Sequence, residues 1–375
     1  MSTYRLRDFV DPIAITVQDP ANSGFERFVG LEHYDSNELV IKRFSGVELL
    51  TTNAKAFQKN DLLIARRNVY LRRAGVVYFD GITSGDSIVL RVKENCEKQT
   101  GINRELAQRI LPLVLNTDKF WIYANKHADG MNSKRISKDT LLDYEFDLPS
   151  IEEQKVLADK LWAAYKVKES YRQLLSTTDE MLKAKFQEMF GKEPTMTLGK
   201  LAESWSKGQA FKKDEIVDGG KTPCIHYGQL YQYGAVIENI LSFTDADAVR
   251  TSKIGDILFP ASDVTPKGLA RCSCINKDGV ILGGDIIIMH PLEGLNSSYL
   301  SYAINQQTQQ LLALVTGSVV RHMSAKSLQT VRIPVPEKED QQQFAEIATQ
   351  AEATKTSLRA SIEAIDRVIR SLINQ

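Results

Sequence analysis

The alternation of apolar and polar positions divides the 375-residue chain into two similar halves, each closed by a long helical pattern. The stretch 149–190 carries the first. Pro149 stops the preceding segment, and Ser150 with Glu153 forms an S-x-x-E box whose side chains satisfy orphan amides of a first helical turn. No Gly or Pro follows until Gly191 and Pro194, so the spacing predicts one helix of about 40 residues, roughly 60 Å at 1.5 Å per residue. Leu157, Ala164, Tyr171 and Thr178 recur every seven residues. Val167, Leu174 and Met181 lie between them, and Leu161, Leu175, Leu182 and Met189 widen the stripe. Near the C-terminus Phe344, Ala351, Leu358, Ile365 and Leu372 repeat the seven-residue interval. Two such stripes predict helices that pack on each other; separate coverage of each neighbouring domain is the alternative.

Ahead of each helix runs a mixed pattern. Asp61–Ala65, Gly75–Phe79 and Ser87–Val92 are short β-type runs, followed by a helical pattern from about Arg104 to Trp121 and a polar loop over 127–141. The second half repeats the order with 255–259, 284–288, a helix from about Ser298 to Val315 and the loop 317–328. A shift of 187 positions superimposes Gly130 on Gly317, Ser137 on Ser324, Leu141 on Leu328 and Pro149 on Pro336. The expected fold class is α+β: two mixed α/β domains joined by two long antiparallel coiled-coil helices, a pseudo-two-fold internal repeat. The expected segments are 1–149, 150–194, 195–336 and 337–375.

Composition narrows the chemistry little. Lys and Arg number 47, as do Asp and Glu, so a local basic patch and not net charge must carry any nucleic-acid binding. Cys96, Cys224, Cys272 and Cys274 form no C-x-x-C pair and have no His at zinc-like spacing, which predicts reduced thiols, no disulfide framework and no metal site. No stretch approaches the roughly 18 apolar residues of a membrane span, and a cytoplasmic protein without membrane partners is expected.

Dinucleotide, P-loop and zincin motifs are missing, and none of the five histidines sits in a pattern that pairs it with a Ser or Cys nucleophile. A binder is expected, with no catalytic residue and no cofactor of its own. The polar loops supply its candidate contacts. Asn125, Lys126, Asn132, Ser133, Lys134 and Arg135 flank the Gly130 turn, and Ser318, Arg321 and His322 stand at the corresponding place in the second half. Arg and Lys suit phosphate or guanine O6 and N7, and Asn suits adenine N6 and N7. Arg66, Arg67, Arg72 and Arg73 around Tyr70 form the densest basic cluster. The second half has only Lys267 and Arg271 there, with Lys212, Lys213, Lys221, Tyr227 and Gln229 as further candidates, so the halves are expected to use different residues.

The order domain, helix, domain, helix resembles the specificity subunit of type I restriction-modification systems. The residues that carry the resemblance are FVGLEH at 28–33, the Asp-Leu and Asp-Ile segments at 61 and 256, and P-x-x-E-E-Q (149–154) repeated as P-x-x-E-D-Q (336–341). It covers almost the whole chain. The resemblance implies two target-recognition domains, each reading one half of a bipartite, asymmetric sequence in double-stranded DNA, with the helices setting the spacer. It further implies two modification subunits, which bind S-adenosylmethionine and methylate adenine, and restriction subunits joining that core. A recognition subunit of another methylation or phage-defence complex, and a coiled-coil adaptor that does not bind DNA, are the alternatives.

Overall fold

The computed structural model describes residues 1–131, 133–210 and 212–374. They form two compact units, Met1–Ser170 with Ser361–Gln375, and Tyr171–Ala360. Each unit therefore holds part of both long helices, Ile151–Phe190 and Lys338–Ile373, where the sequence pattern separates helices from domains.

The start of the first helix follows from local chemistry. The Ser150 amide donates to Glu153 Oε2 (2.9 Å), and the Glu153 amide to Ser150 Oγ (3.3 Å). The glutamines of the two repeated boxes do the same thing in both copies. Gln154 Nε2 donates to the Pro149 carbonyl (2.9 Å) and Gln341 Nε2 to the Pro336 carbonyl (2.8 Å), and both side chains are buried. Each ties the helix to the proline that precedes it.

In the first unit the strands Val10–Ile13, Ser87–Val92, Leu62–Ala65 and Ala74–Val76 form one antiparallel sheet in that order. Its core gathers Leu6, Phe9, Leu111, Phe120 and Trp121, against which Leu161 and Tyr165 of the first helix and Ile369 of the second are packed. Truncating a buried aromatic such as Trp121 to Ala typically costs about 3–5 kcal/mol. Strand Ser2–Arg5 pairs antiparallel with Glu145–Leu148, just before the first long helix.

The second unit repeats the plan. Its sheet runs Ala202–Lys207, Ile286–Pro291, Ile257–Pro260, Ser273–Ile275, Val236–Ile237, and Thr195–Thr197 pairs with Arg332–Pro334 ahead of the second long helix. Phe186 and Phe190 of the first helix meet Phe344 of the second at ring separations of 5.4 and 5.5 Å, and Asp179 pairs with Lys355. Residue numbers rise along one helix as they fall along the other, so the pair is antiparallel within this unit.

Three local expectations change. The helical patterns from about Arg104 and Ser298 are each broken in two: Arg104–Val114 with Asp118–Lys126, and Ser297–Asn305 with Thr308–Ala313. At the first break Asn116 Nδ2 donates to Pro112 and Ala74 carbonyls, and Thr117 accepts the Phe120 amide as a new N-cap. The packing face of the first long helix is also displaced. Leu157, Ala164 and Tyr171 are half-buried, but Leu174 and Met181 are 46% and 50% exposed, and Val167 is exposed beside them. The buried row runs instead through Ala158, Leu161, Tyr165, Lys168, Thr178, Leu182, Phe186 and Phe190. Of this row the sequence stripe contains Leu161, Thr178 and Leu182 and misses Ala158, Tyr165, Lys168, Phe186 and Phe190; Lys168 is paired with acids, and Thr178 donates to the Leu174 carbonyl. On the second helix Phe344, Ala351 and Leu358 are buried, and Ile365 and Leu372 pack half-buried on the first unit's core.

Candidate nucleic-acid interface

Each unit carries a short hairpin whose tip holds candidate contacts. In the first unit Asp129 and Arg135 exchange backbone hydrogen bonds (3.0 and 2.8 Å), closing a loop that begins at Gly130 with φ +117°. Thr316 and His322 do the same in the second (3.0 and 2.9 Å), with Gly317 at φ +94°. Both glycines adopt the left-handed region that side chains disfavour, which is why the repeat keeps a glycine at each place.

The hairpins dock on the end of a core strand. Asn68 donates to the Lys134 carbonyl and Ile136 to the Arg66 carbonyl, and in the second unit Ser262–Asp263 pairs with Arg321–His322. The fold thus brings Arg66, Arg67, Ser133, Lys134 and Arg135 together across 66 residues of sequence, with Arg67 Nε donating to Ser133 Oγ at 2.6 Å. Asp86 steadies the group: Arg67 lies 3.7 Å and Arg135 3.3 Å from its carboxylate. Lys134 and Arg135 remain exposed, as does Tyr70. Asn132 lies outside the described residues.

Other candidates have internal partners. Arg73 donates to the Leu31 and Arg67 carbonyls, and burial holds its guanidinium below the usual arginine range. Arg72 pairs with Asp118 at 2.5 Å. Asn125 donates to the Trp121 carbonyl, and Lys126 is exposed. In the second unit Arg321 bends back onto the Gly317 carbonyl, while Ser318 and His322 are exposed. Gln229 accepts the His226 amide at 2.8 Å and donates to Ser242 Oγ, so it braces its own turn, and Tyr227 lies against the His226 ring. Lys212, Lys213 and Lys221 are exposed around a small sheet built from Ile216–Val217, Ser242–Thr244, Thr222–Ile225 and Ile281–Leu282, away from the hairpin strand pair in topology. Lys267 is exposed, but Arg271 turns inward onto the Tyr233 carbonyl at 2.6 Å.

The sequence places no histidine beside a serine, yet the fold does. Ser206 Oγ lies 2.8 Å from His290 Nε2, and His290 Nδ1 2.6 Å from Asp256 Oδ1. The first unit explains this order. Leu62 pairs with Leu90 and Ile257 with Met289, which sets Asp61–Arg91 where Asp256–His290 stands. Arg91 grips the buried Asp61 at 2.8 and 2.7 Å, and each aspartate accepts a turn amide at 2.8 Å, from Gln58 or Lys253. A guanidinium does the same work as the imidazole, so the arrangement anchors a turn and is not assigned to nucleophilic catalysis.

A duplicated unit with a polar hairpin on each copy matches a known family model. The model for the type I restriction modification DNA specificity domain aligns twice, at residues 12–175 and 192–367. The chain belongs to this family. It is a DNA sequence-specificity subunit of the type I restriction-modification class. A type I restriction-modification system S subunit from M. genitalium is 12% identical with a TM-score of 0.58, covering 99% of this chain and 94% of that one. A chain from work on complex assembly and conformational transition of the type I R-M system is 17% identical with a TM-score of 0.52, covering 99% and 96%. At these identities the likeness is one of fold. No curated protein sequence matches the chain. Among the described residues no helix of the specificity subunit is long and apolar enough to cross a membrane.

Proposed function

We propose that each unit of this specificity subunit reads one half of a bipartite, asymmetric DNA target through its hairpin and the strand end beneath it. The observation that carries the reading is the repeated docking of the hairpins 129–135 and 316–322 on strand ends of two homologous sheets. Unlike side chains at the two tips, Lys134 and Arg135 against Arg321 and His322, support unlike half-sites. The helices Ile151–Phe190 and Lys338–Ile373 each run from one unit into the other and set the spacer. The chain itself is not catalytic. It acts as the scaffold for two methyltransferase subunits, which carry S-adenosylmethionine, and for restriction subunits.

The testing experiment is base-modification sequencing of DNA from a host with and without the gene. Loss of methylated adenine at one split, asymmetric motif is the expected result. Unchanged methylation, together with no DNA binding by the complex of this chain and its genomic neighbours, would overturn the proposal.

A further inference from the structure

We propose that the second unit holds a binding cavity for a phosphoryl group, supplied either by a free nucleotide or by the DNA backbone. The cavity encloses about 700 Å³, within the range of roughly 300–1,000 Å³ usual for ligand sites. Tyr302 and Arg271 line it. Tyr302 is 5% exposed, and its hydroxyl is buried with no hydrogen-bond partner among the described residues. Arg271 Nε is buried in the same condition, although the other end of its guanidinium is held by the Tyr233 carbonyl and over the Tyr231 ring. Two buried donors without acceptors are costly unless something fills the space with oxygen atoms. Burial and nearby acids, Glu352 among them, push the Tyr302 phenol upward, so it stays a neutral donor.

The charge of the walls selects the acceptor. Lys183, Lys267 and Arg359 line the cavity with no carboxylate partner among the described residues. Asp179 and Glu352, the two acids present, are both bound by Lys355 at 2.6 Å. What remains is cationic and rich in N–H and O–H donors, which suits a phosphate in preference to a neutral or cationic ligand.

The first unit shows how the cavity arose. Val40 and Val236 hold the same parallel pairing position, against Val76 and Cys274 of matching strands. Glu38 and Gly234 therefore correspond, as do Tyr165 and Glu352, 187 positions apart. In the first unit the buried lysine takes its carboxylate from the domain, through Glu38. In the second it takes it from its own helix, through Glu352, and the domain position is a glycine whose missing side chain would meet that carboxylate at 3.1 Å. The corresponding space in the first unit measures only about 150 Å³. The exchange goes with a wide cavity in the second unit and a small one in the first.

Calorimetric titration of the full chain with AMP and with inorganic phosphate tests the inference, beside duplex DNA binding at several salt concentrations. Tyr302→Phe and Arg271→Gln are the variants. The expected result is AMP and phosphate binding that weakens at least about ten-fold in both variants, with DNA affinity unchanged. Without AMP or phosphate binding, a DNA salt slope reduced by about one in Arg271→Gln supports the backbone as the source. Unaltered DNA binding with no AMP or phosphate binding would overturn the proposal. Tyr302→Phe is expected to melt no lower than the parent, which separates ligand loss from unfolding. Failure of all DNA binding in the parent would count against the target-reading proposal and leaves the nucleotide arm to decide the cavity.

Discussion

Lys168 Nζ lies 2.6 Å from Asp366 Oδ1, joining the two long helices through a lysine side chain only 4% exposed. Lys355 and Asp179, each 187 positions from its counterpart, form the same bond at 2.6 Å in the other unit with the helices exchanged. Each lysine has a second acid, Glu38 or Glu352, so neither buried charge is left unbalanced.

Removing the lysine should therefore cost more than removing one of its acids. Lys168→Met is expected to destabilise the first unit by about 3–5 kcal/mol, because it takes the cation from Glu38 and Asp366 at once, and Asp366→Ala by much less, because Glu38 still balances the lysine. Urea unfolding of both variants and of the double variant measures the coupling. Equal losses in the two single variants would contradict this account.

The same bonds constrain the spacer. Lys168 and Asp179 are separated by 11 positions (179 − 168), as are Lys355 and Asp366 (366 − 355). An insertion in one helix alone breaks that equality. Seven residues inserted into both 171–175 and 358–362 should lengthen the tolerated DNA spacer by about three base pairs, from roughly 10 Å of added helix. Insertion into the first helix alone should lower stability. Methylome sequencing reads the spacer, and changed half-sites at constant spacing would refute the ruler.

Lys134→Ala with Arg135→Ala should weaken binding by about 1–3 kcal/mol and relax one half-site only. Binding measured on duplexes with each half-site scrambled in turn decides this. An equal effect on both halves would argue against separate recognition units.

Burial pushes the Cys224 thiol up to about 11 and the Cys272 and Cys274 thiols up to about 12, from an ordinary value of 9.0. A thiol whose folded value is raised contributes stability in full below pH 9.0, and loses it as pH climbs toward about 12. The melting temperature should hold from these groups up to about pH 9 and then fall. Native protein at pH 8 should leave these thiols unlabelled by a thiol reagent that labels them after unfolding; rapid native labelling would show the burial to be wrong.

Much of the architecture is local and so legible along the chain. The Ser150–Glu153 box, the absence of helix breakers up to Gly191 and the repeat interval of 187 specify the long helices, the duplication and the family without any long-range contact. Gly130 and Gly317 mark the hairpins for the same reason: each answers to its own backbone angle. Which face of the first helix turns inward was not legible, because the buried row contains Lys168, whose partners lie 130 and 198 positions away. Arg73, Arg271 and Gln229 look like free contacts in a list of residues, yet they hydrogen-bond within their own units. The Ser206–His290–Asp256 order joins positions far apart in the chain. Periodicity and capping depend on neighbours within a turn or two, whereas the partner of a buried charge depends on which distant segments the core packing brings within about 3 Å.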